Sequence, residues 1–320
     1  MTIVAPADSR VVVTGGAGFI GANLCRELLR RGVGTVVVVD DLSTGLRANL
    51  AQLSVVLVEG SILDSELLEQ ACAGASTIVH LAARPSVPRS LEDPVASHEA
   101  NATGTLRVLE AARHCGAAVV VASSSSVYGR NPALPKREDM LPMPVSPYAV
   151  SKLTTESYAL AYSQCFRVPT LAFRFFNVFG PLQAAGHAYA AVIPSFIDAA
   201  VAGRPLVVHG DGRQTRDFTF VDTVTGVLAS AVLRGVTSDR PVNLAFGTRA
   251  SLLEVIAHIE DLLDHPIEVR HVESRPGDVR DSQADNAQLR ALFPEARPMG
   301  LREALAATLD WFRQVAGSAI

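Results

Sequence analysis

Along the first 180 residues, short apolar runs alternate with longer stretches of helical period. Val11-Val12-Val13 leads into glycines at 15–21, and a helical pattern runs from about Ala22 to Arg31. Thr35–Val39 is almost pure valine, the mark of a parallel strand buried on both faces. Val55–Val58, Thr77–Leu81 and Ala118–Ala122 repeat the theme, with helical patterns at Asp64–Cys72 and Pro94–His114. Tyr148–Phe166 predicts one long helix and Thr170–Phe175 a further strand. Such alternation predicts an α/β fold with a doubly wound parallel sheet. After Gly180-Pro181 the pattern loosens. Helical pieces near Val192–Val201, Asp222–Leu233, Leu252–Leu263 and Leu301–Phe312 mix with short strands near Pro205–Val208, Val242–Ala245 and Ile267–Val272. This predicts a smaller α+β substrate-binding domain. The expected division is a cofactor domain at 1–176 with a returning segment at about 217–246, and a substrate domain at 177–216 and 247–320.

Composition narrows the classes. The chain has 320 residues, 48% hydrophobic and 19% charged, with a net charge of −4. That is ample for a core, and scattered arginine without a basic run argues against nucleic-acid binding. Cys25, Cys72, Cys115 and Cys165 lie far apart, which fits a reducing cytoplasm rather than a disulfide framework or a zinc site. The first ten residues predict no signal peptide. No apolar stretch reaches the ~20 residues of a membrane span. No His-Glu-x-x-His occurs, so a catalytic metal has no support. Of the 28 basic residues, only Lys136 and Lys152 are lysines. An arginine-favouring genome accounts for most of this. A lysine that survives such a drift can mark a site where guanidinium does not substitute.

Thr14-Gly15-Gly16-Ala17-Gly18-Phe19-Ile20-Gly21 sets glycines at 15, 18 and 21 between a valine strand and a helix. A Rossmann-type nucleotide fold needs this for a tight turn, a close approach to pyrophosphate and close helix–sheet packing. Alone, a glycine trio also fits an ordinary turn. Asp40 closes the next strand 19 residues after Gly21, followed by Asp41. A carboxylate there accepts hydrogen bonds from a ribose diol and repels a 2′-phosphate, which favours NAD over NADP.

Tyr148 and Lys152 stand at i and i+4, on one face of the predicted helix. A tyrosine ordinarily titrates near ~10, and a neighbouring ammonium favours its phenolate. With lysine so scarce, an accidental surface pair is a weaker explanation than usual. Ser123-Ser124-Ser125-Ser126 follows an apolar run. Read alone, four serines are a polar loop. At the carboxyl end of a buried strand, one of them can bond a substrate oxygen.

Together these residues resemble the extended short-chain dehydrogenase/reductase family, in its nucleotide-sugar 4-epimerase and dehydratase group. The resemblance spans Val11 to about Phe312. It is carried in order by the glycine run, His80-Leu81-Ala82-Ala83, Asn101, the serines, Tyr148/Lys152 and Arg174-Phe175-Phe176-Asn177-Val178-Phe179-Gly180-Pro181. It implies NAD held by Gly15, Gly18, Phe19, Ile20, Gly21, Asp40, Asp41, Ile62, Leu81, Ala82, Ala83, Asn101, Tyr148 and Lys152. It implies a UDP-sugar substrate at Pro85, Ser86, Ser124, Ser125, Tyr148, Asn177, Ala191, Val192, Val207, His209, Arg216, Arg275, Asp278 and Ser282. Ser124, Tyr148 and Lys152 are its catalytic residues, and a homodimer pairs through the 94–114 and 148–166 helices.

Family dehydratases carry Thr-Asp-Glu where this chain has Ser124-Ser125-Ser126. Two hydroxyls cannot replace the acid pair that eliminates water, so the resemblance implies a 4-epimerase. Asp40 argues against an NADP-linked ketoreductase, and retention of Tyr148 and Lys152 argues against a non-catalytic nucleotide sensor. Ser86–Ser90, Leu134–Asp139 and Tyr189–Pro194 look most like the UDP-N-acetylhexosamine branch. Ser282, small where plain-hexose enzymes carry tyrosine, leaves room for an acetamido group. Ser61, Pro85 and Leu182 depart from the family pattern. Arg84 could pair with a carboxylated sugar such as UDP-glucuronate.

Overall fold

The computed structural model describes residues 6–185, 190–273 and 280–317. Six parallel strands are β1 (Arg10–Thr14), β2 (Thr35–Asp40), β3 (Val56–Glu59), β4 (Thr77–His80), β5 (Ala118–Ser124) and β6 (Thr170–Phe175). A seventh, Val242–Leu244, pairs in parallel with β6. From one edge the order is Val242–Leu244, β6, β5, β4, β1, β2, β3. The order reverses between β1 and β4, which opens a crevice at the carboxyl ends of those strands.

The valine runs are legible in the packing. Val11, Val13, Val36 and Val38 face one layer, with α1 (Phe19–Arg30) and the helix Val221–Arg234. Val12, Val37 and Val39 face the other, with α2 (Ser65–Cys72) and the later helices. Burying each side chain stabilises the fold by about 1.5–3 kcal/mol. Neither face can therefore be given up. A third cluster, including Phe179, Ile193, Phe196, Val208, Val255, Ile259, Leu305 and Leu309, forms the core of the second part of the chain.

The expected helix at 94–114 runs without a gap but carries a π turn. After α3 (Val87–Glu92) and α4 (Pro94–His98) comes a π turn at Glu99–Thr103, and only then α5 (Gly104–Cys115). The turn carries Asn101, whose side chain is occupied by backbone elsewhere. Its Oδ1 accepts the Arg84 amide at 2.7 Å and its Nδ2 donates to the Arg84 carbonyl at 3.2 Å. Such π insertions recur at functional sites. The first helix starts at Phe19, three residues earlier than its hydrophobic period suggests, so Gly21 lies inside it. Helix α6 (Pro147–Phe166) begins after Ser146, whose Oγ accepts the Ala149 amide, with Pro147 in the first turn.

Candidate active site

The crevice is a cavity of about 860 Å³. Its walls include the glycine loop, the end of β2, Leu81–Ala83 just after β4, the β5 serines, Tyr148, Lys152 and Asn177. Gly15 takes φ +71°, and a β-carbon on it would lie 2.6 Å from the Ala82 nitrogen. A β-carbon on Gly21 would meet the Gly15 carbonyl oxygen at 2.2 Å. This turn therefore tolerates no side chain at either position. Gly15→Ala should weaken NAD binding by roughly tenfold or more, since both strain and contact oppose it; calorimetric titration with NAD measures it, and unchanged affinity would refute this account of the loop.

Asp40 sits buried at the end of β2. One carboxylate oxygen accepts the Ala17 amide and the other the Leu42 amide, each at 2.9 Å. Burial pushes its pKa up, and these two amides pull it down. The carboxylate thus ties the glycine loop to the strand, and four lone-pair sites leave it capacity for a ribose.

At the other wall, Tyr148 and Lys152 project from the first turns of α6. Lys152 is buried and its Nζ donates to the Ala122 carbonyl at 2.8 Å; burial pushes its pKa down to about 8. Ser124 ends β5, and its Oγ accepts from both the hydroxyl and the amide of Ser126, at 2.9 and 3.2 Å. Those acceptances leave the Ser124 proton free for Tyr148. Burial raises the phenol pKa while the Ser124 hydroxyl lowers it, and burial prevails. Among the protein's own groups desolvation therefore outweighs what favours the phenolate.

Most of the sequence-derived positions come together in this cavity: Gly15, Gly18, Phe19, Ile20, Gly21, Asp40, Asp41, Ile62, Leu81, Ala82, Ala83, Pro85, Ser124, Ser125, Tyr148, Lys152 and Asn177. Asn101 stands behind the wall, holding Arg84. Ser86, at φ +93°, has a buried Oγ with no hydrogen-bond partner, beside the wall residues Arg84, Pro85 and Arg89.

The remaining positions are not wall residues. Ala191 and Val192 begin the helix Val192–Val201. Val207 and His209 lie on the strand Leu206–His209, and the His209 ring meets the Glu273 carbonyl at 3.0 Å. Arg216 donates to the Thr215 and Arg280 carbonyls. The Ser282 amide donates to the Thr215 carbonyl at 3.1 Å. Arg275, Asp278 and Tyr189 lie outside the described residues. The walls add Ser43, Thr44, Arg89, Glu92 and Glu99, which the sequence reading did not single out. No three His, Cys, Asp or Glu side chains among the described residues gather as a metal site, and none of the described helices is long and apolar enough to cross a membrane.

Residues 11–245 match the sequence model of the NAD dependent epimerase/dehydratase family. A UDP-glucose 4-epimerase of Mycolicibacterium smegmatis is 37% identical over 311 residues, which is 95% of this chain and 98% of that one. A solved UDP-N-acetylglucosamine 4-epimerase from Methanobrevibacter ruminantium, in complex with UDP-N-acetylmuramic acid, superposes with a TM-score of 0.91 at 33% identity, covering 96% of this chain and 99% of that one. A UDP-glucuronic acid 4-epimerase from Bacillus cereus, with UDP-glucuronic acid and NAD, gives 0.87 at 29% identity over 96% and 99%. The cleft is thus that of an NAD-using fold, and the glycine cradle and Asp40 fit the cofactor.

Proposed function

The chain belongs to the NAD dependent epimerase/dehydratase family, as an enzyme of the NAD-dependent UDP-sugar 4-epimerase kind, and from that premise we propose that it interconverts UDP-GlcNAc and UDP-GalNAc, with UDP-Glc and UDP-Gal turned over as well. The observation that carries the mechanism is the shared cavity of Tyr148, Ser124 and the Gly15 loop. The loop, Asp40 and Lys152 would hold NAD, which would supply a reversible hydride acceptor and a positive charge that favours the phenolate. Tyr148 takes the proton of the sugar 4-hydroxyl and later returns it. Ser124 donates to the same oxygen and steadies the 4-keto sugar. The keto sugar turns over between the two steps, so proton and redox balance both close at zero.

NAD is assigned to 1–176 and the 217–246 return, and the UDP-sugar to 177–216 and 247–320. Asn177, in the cavity wall, and Arg216 are placed on the sugar diphosphate, with Arg275 beside them and Asp278 on the uridine ribose. Ala191, Val192, Val207 and His209 flank the nucleobase. The protein pairs through α4–α5 and α6, which expose Val95, Val150 and Tyr158; sedimentation at micromolar concentration reads this directly.

Ser282 carries the sugar preference, because a hydroxymethyl leaves open the volume that an acetamido group needs. Offered separately, UDP-GlcNAc, UDP-Glc and UDP-GlcA should give C4 epimers of the first two without added reductant. Ser282→Tyr should lower the UDP-GlcNAc to UDP-Glc ratio of kcat/KM about tenfold or more, the usual reach of a steric gate. An unchanged ratio would remove the gate from Ser282. One observation favours a second substrate. Arg84 lines the cavity, and its guanidinium is held by Asp93 at 3.3 Å, both partly exposed. A uronate carboxylate competes for that fork. If UDP-GlcA is the fastest of the three, the carboxylated sugar is the substrate.

A further inference from the structure

His80 ends β4 with its ring buried and both nitrogens engaged. Nδ1 lies 2.8 Å from the Thr14 hydroxyl and Nε2 lies 3.0 Å from the Thr105 hydroxyl. Thr14 is the last residue before the glycine loop, and its oxygen accepts the Ala82 amide at 3.3 Å. Ala82 is the residue against which Gly15 packs. On the other side, Thr105 donates to the Asn101 carbonyl at 2.5 Å, and Thr155 of α6 donates to the same carbonyl. Asn101 also donates to Ser151, which donates to the Tyr148 carbonyl.

The directions of these bonds follow from counting protons. Thr105 has one hydroxyl proton, and its shortest bond sends that proton to the Asn101 carbonyl, which can only accept. The Thr155 hydroxyl, 3.1 Å from Thr105, has carbonyl acceptors of its own at Asn101 and Ser151, so it does not need the Thr105 oxygen. With its proton on the Asn101 carbonyl, the Thr105 oxygen accepts from His80, and Nε2 carries the hydrogen. A neutral ring has its lone pair on Nδ1, which takes the Thr14 proton. The Thr14 oxygen is thereby free to accept from Ala82. No group in the run has two protons pointing at one another. A charged ring would donate at both ends and leave the Thr14 proton without an acceptor. Burial and the nearby Lys152 charge both oppose that form, and the imidazole pKa is pushed down to about 3.

We propose that His80 is a positioning residue for the cofactor cleft: as its Nε2–H tautomer it links the Ala82 amide beside the glycine loop to the Asn101 carbonyl in the π turn, and through Asn101 to the helix that carries Tyr148 and Lys152. The two walls of the cleft then share one spacer. Removing a link lets the glycine loop and the catalytic helix shift independently. The inference rests on the cleft holding NAD and is indifferent to which UDP-sugar is turned over.

The test uses the whole protein with NAD, labelled with ¹⁵N-histidine. Long-range ¹H–¹⁵N spectra between pH 5.5 and 8.5 should show His80 protonated at Nε2, bare at Nδ1 and constant throughout; His80→Gln assigns the signal by its loss. Thr105→Val deletes the acceptor without touching the ring. It should weaken NAD binding and lower kcat, each about tenfold, with the KM for UDP-sugar within about twofold, as a small misplacement of reacting groups does. Thr105→Ser, which restores the hydroxyl, should recover both. An Nδ1–H or titrating ring would overturn the proposal, as would a Thr105→Val variant that binds NAD and turns over like the parent. If no UDP-sugar reacts with the parent, the epimerase reading fails, while the tautomer and NAD affinity still decide the role of His80.

Discussion

Replacing Tyr148 by phenylalanine should lower kcat for C4 epimerisation about a thousandfold, within the range for loss of a positioned acid–base group. The ring stays, so packing is conserved, and only the oxygen that faces Ser124 is lost. NAD affinity should stay within about threefold, because the loop, Asp40 and Lys152 are untouched. A second signature follows from protonation. Burial holds the phenol above its ordinary pKa, so in the parent the rate should climb with pH as the phenol ionises. The residual rate of Tyr148→Phe should lack that limb. Stopped-time assays resolving both epimers across pH supply the readout. Turnover by the variant within tenfold of the parent would end the role given to Tyr148.

The second large effect is on the fold. Glu156 lies four residues beyond Lys152, on the same face of α6. Its carboxylate takes two bonds from Arg174, at 3.0 and 2.7 Å, and a third from Ser123 at 2.8 Å. Both side chains of the ion pair are at most 4% exposed, and the guanidinium stacks over Tyr128 at 4.7 Å. Glu156→Ala strands a buried guanidinium and should cost about 3–5 kcal/mol. A lowered urea midpoint at unchanged slope would report it. Because Ser123 neighbours Ser124, the variant should also turn over more slowly even under conditions where it remains folded. A loss below about 1 kcal/mol would mean that water reaches the pair.

The sheet was legible because its central strands are buried on both faces, so Thr35–Val39 and Ala118–Ala122 announce themselves as unbroken apolar runs. The glycine loop and the Tyr148/Lys152 pair were legible because each depends on spacing within one element. The π turn at Glu99–Thr103 was not. The hydrophobic period continues through it, and the turn is tied to the Arg84 backbone, 17 positions away. His80 was noticed only as part of the His80–Ala83 run and given no role, for a similar reason: one polar residue ending an apolar strand says nothing about the threonines it meets from β1 and α5. The same holds for Lys136, for which the sequence offered no role. It is buried, its ammonium donates to the Asn131 carbonyl and its own carbonyl accepts from Asn243. The short parallel pair Val178–Phe179 with Thr219–Phe220 is too brief for any period to register.

The two bonds that Asn101 makes to the backbone of Arg84 have a consequence for how such an enzyme changes its diet. They fix the main chain at position 84 whatever side chain it carries, as a socket fixes a tool. If Arg84 meets the sugar as proposed, a mutation there alters that contact while Asn101 still holds the main chain. On that reading, neutral and acidic sugars are separated by one side chain on a main chain that does not move, so a single codon can exchange them.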